Sequence, residues 1–252
     1  MPSRYQPNIT QAPLQLIAAD GTAIYGLFDG SVPQLNFADF DYRTVLDKKA
    51  SALARYFHYK QFQFICVTDS DWLLAVAIAD IRYANSGFAY LYRFDANQAI
   101  SKGLLLPGAL GCQMSDSPSA GEARQQLGAY KVAIKTSATE WQLTIDTKEL
   151  KANLTIEKAS QMPLALCAPT GYNGFTYTEK SNALAVSGTL ELQGKSQDLT
   201  QALAGYDFSA GFMRRQTSWR WASINAVVEG QAFGLNMAAG VNETGLCENA
   251  LW

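Results

Sequence analysis

The stretch Tyr59–Asp95, YKQFQFICVTDSDWLLAVAIADIRYANSGFAYLYRFD, decides the fold class. Tyr59–Val67 and Trp72–Tyr83 are apolar-rich runs on either side of the polar turn Thr68-Asp69-Ser70-Asp71, the pattern of two strands joined by a hairpin. Beyond them, Phe88, Tyr90, Tyr92 and Phe94 alternate with Ala89, Leu91 and Arg93. Period 2 places the four rings on one face of a third strand. The same signature recurs outward in both directions. Leu14–Ala18 and Ala23–Phe28 flank Asp20-Gly21, a dipeptide that tolerates positive φ and so favours a tight hairpin turn. Further strands are expected at Tyr130–Thr136, Glu140–Asp146, Asn153–Lys158, Leu164–Ala168, Leu184–Leu192, Phe212–Val228 and Gln231–Asn242. Tyr42–Tyr56, with Val45, Leu46, Leu53 and Tyr56 at helical spacing, is the one candidate for a helix of useful length. Many strands at short intervals predict an all-β sandwich or barrel.

A chain of 252 residues holds one large β domain or two small ones. Gln113–Gly128, rich in Ser, Gly, Pro and Ala, reads as loop. It either divides an N-terminal β domain (1–120) from a C-terminal one (121–252) or is one long surface loop. The net charge of −2 lacks the basic excess of a general nucleic-acid binder. His58 is the single histidine, which excludes any metal site needing two imidazoles. Cys66, Cys112, Cys167 and Cys247 form no CxxC pair. Neither a metal nor another cofactor is expected from this sequence, and the thiols are read as reduced. MPSRYQPNITQAP has no secretory pattern. The longest apolar run, Trp72–Ala79, is far short of the roughly 20 residues that span a bilayer. A cytoplasmic protein is expected, in which the sequons at Asn8, Asn153 and Asn242 go unused. The apolar end, Glu248-Asn249-Ala250-Leu251-Trp252, suggests that further strands follow in the natural chain.

Familiar catalytic signatures are missing. No GxGxxG follows a strand, no GxSxG occurs, and the glycine that Gly194-Lys195-Ser196 would need falls at Thr189. A histidine-dependent triad could use only His58, which sits among aromatics in Phe57-His58-Tyr59-Lys60. Its imidazole is nevertheless easily tuned near neutral pH. The carboxylates are scattered; Asp207, Glu229 and Glu248 matter because they lie near the one dense constellation.

That constellation runs from Arg214 to Gly240. With Glu229-Gly230 as a two-residue turn, Asn225 falls opposite Gly234, Ser223 opposite Asn236, Trp221 opposite Ala238 and Trp219 opposite Gly240. These eight share one side of the ribbon. Ala222, Ile224, Ala226, Phe233, Leu235 and Met237 share the other, which reads as core. Large rings over small partners, beside amide groups, suit either a groove for an apolar ligand or rings that shield weak strand positions. Arg214, Arg215 and Arg220 either grip an anionic group bidentately or serve locally.

The same residues resemble a known family. Asp207-Phe208-Ser209-Ala210-Gly211-Phe212, Trp219-x-Trp221-Ala-Ser223, Gly234-Leu235-Asn236 and Glu248-Asn249-Ala250-Leu251-Trp252 look like C-terminal signatures of the domain of unknown function 2804 family. His58-Tyr59-Lys60, Ala77-Ile78-Ala79-Asp80 and Thr176-Tyr177-Thr178-Glu179-Lys180 resemble its earlier motifs, in order. The resemblance implies a two-domain, lipocalin-like architecture, remotely similar to the superfamily of hydroxyneurosporene synthase, the carotenoid hydratase. Lipocalin-like barrels enclose apolar ligands.

Three functions follow. A binder of a lipid or isoprenoid-type molecule would use Trp219, Trp221, Ser223, Asn225, Asn236 and Arg215; peripheral contact with a membrane is compatible with it. A hydratase or isomerase would protonate a double bond from Asp207 or Glu248, with His58 as the other ionisable candidate and a tryptophan face to stabilise the cation. An interaction protein would have its tryptophan face covered by further strands or a partner.

Overall fold

The computed structural model describes residues 8–158, 161–240 and 246–252. The sequon at Asn242 and the end of the last expected long strand lie outside them. In chain order the strands are β1 (Ile9–Thr10), β2 (Gly26–Phe28), β3 (Lys60–Thr68), β4 (Trp72–Asp80), β5 (Ala84–Arg93) and β6 (Gln98–Pro107). They continue with β7 (Cys112–Met114), β8 (Gly121–Leu127), β9 (Tyr130–Thr136), β10 (Glu140–Asp146), β11 (Leu150–Glu157) and β12 (Leu164–Thr170). The last are β13 (Gly174–Leu192), β14 (Lys195–Ser196), β15 (Leu203–Gly211), β16 (Arg220–Val228), β17 (Gln231–Ala239) and β18 (Ala250–Leu251). Among the described residues strand makes up 58% and helix 4%, so the class is all-β.

Most strands form one curled sheet in the order β6-β5-β4-β3-β15-β13-β11-β10-β9-β8-β7, with β12, β2 and β1 continuing from the first half of β13. Each pairing along that path is antiparallel. The long strand β13 is the corner. Thr176–Ser181 pairs with β15, the register breaks between Ser181 and Leu184, and Ala183 takes φ 57°. Beyond the break, Val186–Leu192 pairs with β11. A bulge of this kind bends a strand and lets it pass between two sheet directions. The two wings curl towards each other. Gln125 on β8 donates from Nε2 to Asn85 Oδ1 on β5 at 2.6 Å, and Lys102 on β6 meets Glu149 at 2.7 Å. The space enclosed is filled by the alternating inward residues of both wings, among them Val76, Ile78 and Leu91 on one and Val132, Leu143 and Leu154 on the other. A three-stranded sheet, β16-β17-β18, covers part of the opposite, outer face of the curled sheet.

Several sequence expectations need correction. The helix α1 spans Ala52–His58 only, capped by Ser51 Oγ accepting from Ala54 N at 3.2 Å. Upstream, Asp47 sits at φ 57°, inside a turn closed by the Arg43–Lys49 bridge, and Val45 and Leu46 face solvent. Much of the loop-like Gln113–Gly128 is strand, because β8 pairs with β9 from Gly121↔Thr136 to Leu127↔Tyr130. The short strands β1, β7, β14 and β18 and the first half of β13 also escaped the pattern, as did two long strands, β6 and β15. β6 is an edge strand with few buried side chains. The central strand β15, sequence LAGYDFSAG, is full of small and turn-type residues and is held by neighbours on both sides. Lastly, the two faces of the β16–β17 ribbon are exchanged. Its polar face turns inward, with Asn225 and Asn236 buried, whereas Ile224 and Met237 on the apolar face are exposed.

Candidate functional site

The aromatic strand β5 and the strand β3 lie on either side of β4, and their registers build a trough. On the outer face Phe64 pairs with Ala77, which pairs with Phe88; one step along, Cys66 pairs with Ala75, which pairs with Tyr90. Rings thus flank a stripe of alanines. Phe62 and Phe64 stack at 6.2 Å, as do Phe88 and Tyr90 at 5.9 Å. Because side chains alternate, the same strands send Ile65, Val76 and Leu91 into the core on the other face.

The ribbon roofs this trough. Trp221 stands edge-on to Phe64 at 5.3 Å and 79°, and its Nε1 donates to Asn236 Oδ1 at 2.8 Å. The cavity between floor and roof measures about 480 Å³ and is lined by Phe62, Phe64, Phe88, Trp219, Trp221 and Met213, among others. Its polar end is a charge cluster. Lys180 Nζ donates to Asp207 Oδ2 and lies 3.5 Å from Glu248 Oε2, with all three side chains under 10% exposed. The ammonium also lies 5.7 Å from the Trp221 ring centroid, in cation–π range. Ser209 Oγ is 3.4 Å from Asp207 Oδ1, and Thr178 and Ser209 hydroxyls are 2.9 Å apart. Consecutive residues of a strand face opposite ways, so Glu179 points into the core. There Tyr177 Oη donates to its carboxylate at 2.9 Å, and burial raises the carboxyl above the usual glutamate range.

The ribbon is fixed by a polar clamp at the corner of β13. Asn182 Nδ2 donates to Ser223 Oγ at 3.0 Å and to the Leu235 carbonyl at 2.8 Å. Ala183 N donates to Asn225 Oδ1 at 2.7 Å, and Asn225 Nδ2 donates to Cys66 Sγ at 3.4 Å. Burial pushes that thiol up to about 11, so it accepts as the neutral form. The clamp requires close approach: a Cβ at Gly234 would stand 2.7 Å from Asn182 Cβ.

A second cavity, about 620 Å³, adjoins the first and is lined by Tyr42, Arg43, His58, Tyr172, Phe212 and Arg215, with other residues. Tyr42 Oη and His58 Nδ1 are 3.0 Å apart, and Arg215 donates to His58 Nε2 at 2.9 Å. Burial, then the charges of Arg215 and Lys60, lower the imidazole's affinity for a proton.

The structure therefore brings Asp207, Glu248, Trp219 and Trp221 to one cavity and sets His58 and Arg215 in its neighbour. Ser223, Asn225 and Asn236 hydrogen-bond within the protein. Of the four predicted cross-strand pairs, Asn225↔Gly234, Ser223↔Asn236 and Trp221↔Ala238 are present, whereas Trp219↔Gly240 is not, because the ladder ends at Arg220↔Ala239. Lys180, Asn182 and the Phe62–Phe64 pair were not anticipated as site residues. No local signal marked Lys180: adjacent Glu179 and Lys180 must face opposite sides of the strand, and that both sides are buried is visible only in the fold. Among the described residues, no cluster of three or more His, Cys, Asp or Glu is placed to hold a metal, and no helix is long and apolar enough to cross a membrane.

Comparison with known proteins agrees with this architecture. The model of the family described as domain of unknown function (DUF2804) matches residues 6–252. The crystal structure of kievitone hydratase from Nectria haematococca superposes with a TM-score of 0.52 at 9% sequence identity, over 76% of this chain and 59% of that one. At that identity the likeness concerns the fold, which is lipocalin-like. This chain thus spans less than two thirds of the hydratase chain. No curated protein matches the sequence.

Proposed function

We propose that this protein, whose chain belongs to the domain of unknown function 2804 family, binds a hydrophobic small molecule between its curled sheet and the β16–β17 ribbon. The observation that carries this reading is the cavity itself. Five aromatic rings surround a space of about 480 Å³, within the roughly 300–1,000 Å³ usual for small-molecule sites. A mostly apolar wall with a few fixed polar groups at one end is the arrangement that buries a ligand and orients it. Trp219 and Trp221 would report occupancy, since both line the cavity. Titrating the protein with a panel of apolar ligands should shift or quench tryptophan emission, and Trp221→Phe should remove most of the response. Flat emission across the panel, with no change in melting temperature, would refute the reading.

A second reading, hydration of a carbon–carbon double bond in that cavity, is favoured by the carboxyl groups at its polar end. One of Asp207 and Glu248, as the acid, would give its proton to one alkene carbon. Water would add to the other carbon, held cationic against the Trp221 ring, and its released proton would return to the carboxylate. Kievitone hydratase, by its name a hydratase, supplies a precedent for that chemistry on a similar fold. Asp207→Asn should then abolish turnover and spare binding; unchanged turnover would remove Asp207 from the role.

A further inference from the structure

The two cavities share a rim. Lys60, Thr170, Met213 and Arg214 line both, so the aromatic cavity opens towards the larger one across a rim that carries cations. The two ends differ in charge. At the inner end Lys180 is ion-paired with Asp207 and lies 3.5 Å from Glu248, so its ammonium is already compensated. At the outer end the balance is positive. Arg43 is neutralised, by Asp41 at 2.7 Å and Asp47 at 3.6 Å. Lys60, Arg214 and Arg215 meet no carboxylate within ion-pair distance among the described residues.

Arg215 is nonetheless oriented. A guanidinium only donates, so His58 Nε2 must accept from it, and the ring's proton is then on Nδ1, donated to Tyr42 Oη. A neutral imidazole aims the guanidinium and leaves its charge uncompensated. Lys60 Nζ donates to the Arg214 carbonyl at 3.1 Å, which brings a second cation to the same rim. Burial and the Arg215 charge make both Lys60 and His58 harder to protonate, as expected where like charges gather without a counter-ion.

Resting on the binding reading above, we infer that the ligand is an anionic amphiphile: its carboxylate or phosphate is held at the rim by Arg215, Arg214 and Lys60, and its apolar chain enters the aromatic cavity. Guanidinium groups grip either anion through paired N–H donors. The rim is the favoured place for the head, because the inner cation, Lys180, is already paired with Asp207 whereas the rim cations meet no carboxylate among the described residues.

Decanoate, decyl phosphate, decanol and inorganic phosphate, each below its aggregation threshold, separate the possibilities on the full chain by calorimetry and tryptophan emission. Decanoate or decyl phosphate should bind roughly tenfold or more tightly than decanol, the worth of one charge-assisted hydrogen bond. Arg215→Ala should remove most of that advantage; its side chain is exposed, so folding is not at stake. Equal affinity for decanol and both decyl anions would overturn the inference while the pocket reading stands. Arg215-dependent binding of inorganic phosphate without binding of any decyl compound would assign the rim to a free anion and overturn it too. Binding by none of the four probes would overturn this inference and count against the pocket reading with it.

Discussion

Lys180→Met tests whether the inner end of the cavity is as closed as the geometry says. The substitution keeps an unbranched side chain of similar reach and deletes the ammonium. Asp207 and Glu248 would remain, with side-chain exposures of 9% and 7%. Ser209 Oγ, at 3.4 Å from Asp207 Oδ1, is too long and neutral a contact to replace the lost charge. Removing one partner of a buried ion pair costs about 3–5 kcal/mol, mostly the desolvation of the charge left behind. Asp207 loses its ion-pair partner here, so the expected loss is about 3–5 kcal/mol. That is a large part of the total stability of a typical domain, about 5–15 kcal/mol. Urea unfolding read by far-UV circular dichroism and by tryptophan emission, with coincident transitions, measures it. Adding Asp207→Asn to Lys180→Met should recover a substantial part, because the carboxylate that lost its ion pair is gone. A loss of only about 1 kcal/mol or less, the value of a solvated surface pair, would refute the reasoning: water would then reach the cluster, and the cavity would have no closed polar end.

Other perturbations address the remaining parts. Burial raises the Glu179 carboxyl in the folded state, so its contribution is fully present below the ordinary glutamate range and is lost as pH rises through the folded value. Glu179→Gln should therefore flatten the pH dependence of the melting temperature and raise stability on the neutral side; parallel curves for variant and parent would refute this. His58 is the single histidine, so its ring protons give an isolated NMR titration. It should titrate below 6.5, because burial and the Arg215 and Lys60 charges disfavour its cation, and the stability associated with it should be lost as pH falls through that value. A titration at or above 6.5 would contradict the tautomer assigned to the Tyr42–His58–Arg215 chain. Gly234→Ala places a methyl 2.7 Å from Asn182 Cβ, and overpacking of this kind costs about 1–3 kcal/mol. Denaturation should show that loss together with red-shifted tryptophan emission as the ribbon lifts; an unaffected midpoint would argue against the clamp.

The sequence declares the floor of the site more plainly than the roof. Alternation in Phe88–Tyr92 is strong because that strand has one core face and one half-buried face, and both it and the apolar-rich strand Lys60–Thr68 appear where the pattern places them. Strand β15 was illegible for the opposite reason. Its glycines, alanine and serine give no periodic signal, and it is a strand because β3 and β13 pair with it along its length. The partnership of Lys180 with Asp207 and Glu248 joins residues far apart in sequence, which no local pattern encodes. For the ribbon, register was legible from the Glu229-Gly230 turn, where both residues take positive φ, 51° and 78°. Which face turns inward was not, because hydrophobicity alone selects the apolar face. Here hydrogen bonds from Asn182 to Ser223 and to the Leu235 carbonyl, and from Ala183 to Asn225, select the polar one.

That inversion also explains why a cavity exists beside the clamp. Two sheets that meet through large apolar side chains settle about 10 Å apart and fill the gap with interdigitated groups. The ribbon instead approaches β13 through glycine and short polar side chains: Gly234 lies against Asn182, and Ser223 and Asn225 are held at hydrogen-bond distance. Hydrogen bonds fix a separation, whereas apolar contact rewards any collapse that removes area from water. Along the same inward face the residues change from Asn225 and Ser223 to Trp221 and Trp219, and the alanines of β4 leave the opposite floor low. Held at one end by the clamp, the ribbon cannot settle onto that floor at the other, and the tryptophans stand over a space they do not fill. The face that sequence reading treats as a single ligand surface is thus divided along its length into a part that sets the spacing and a part that uses it.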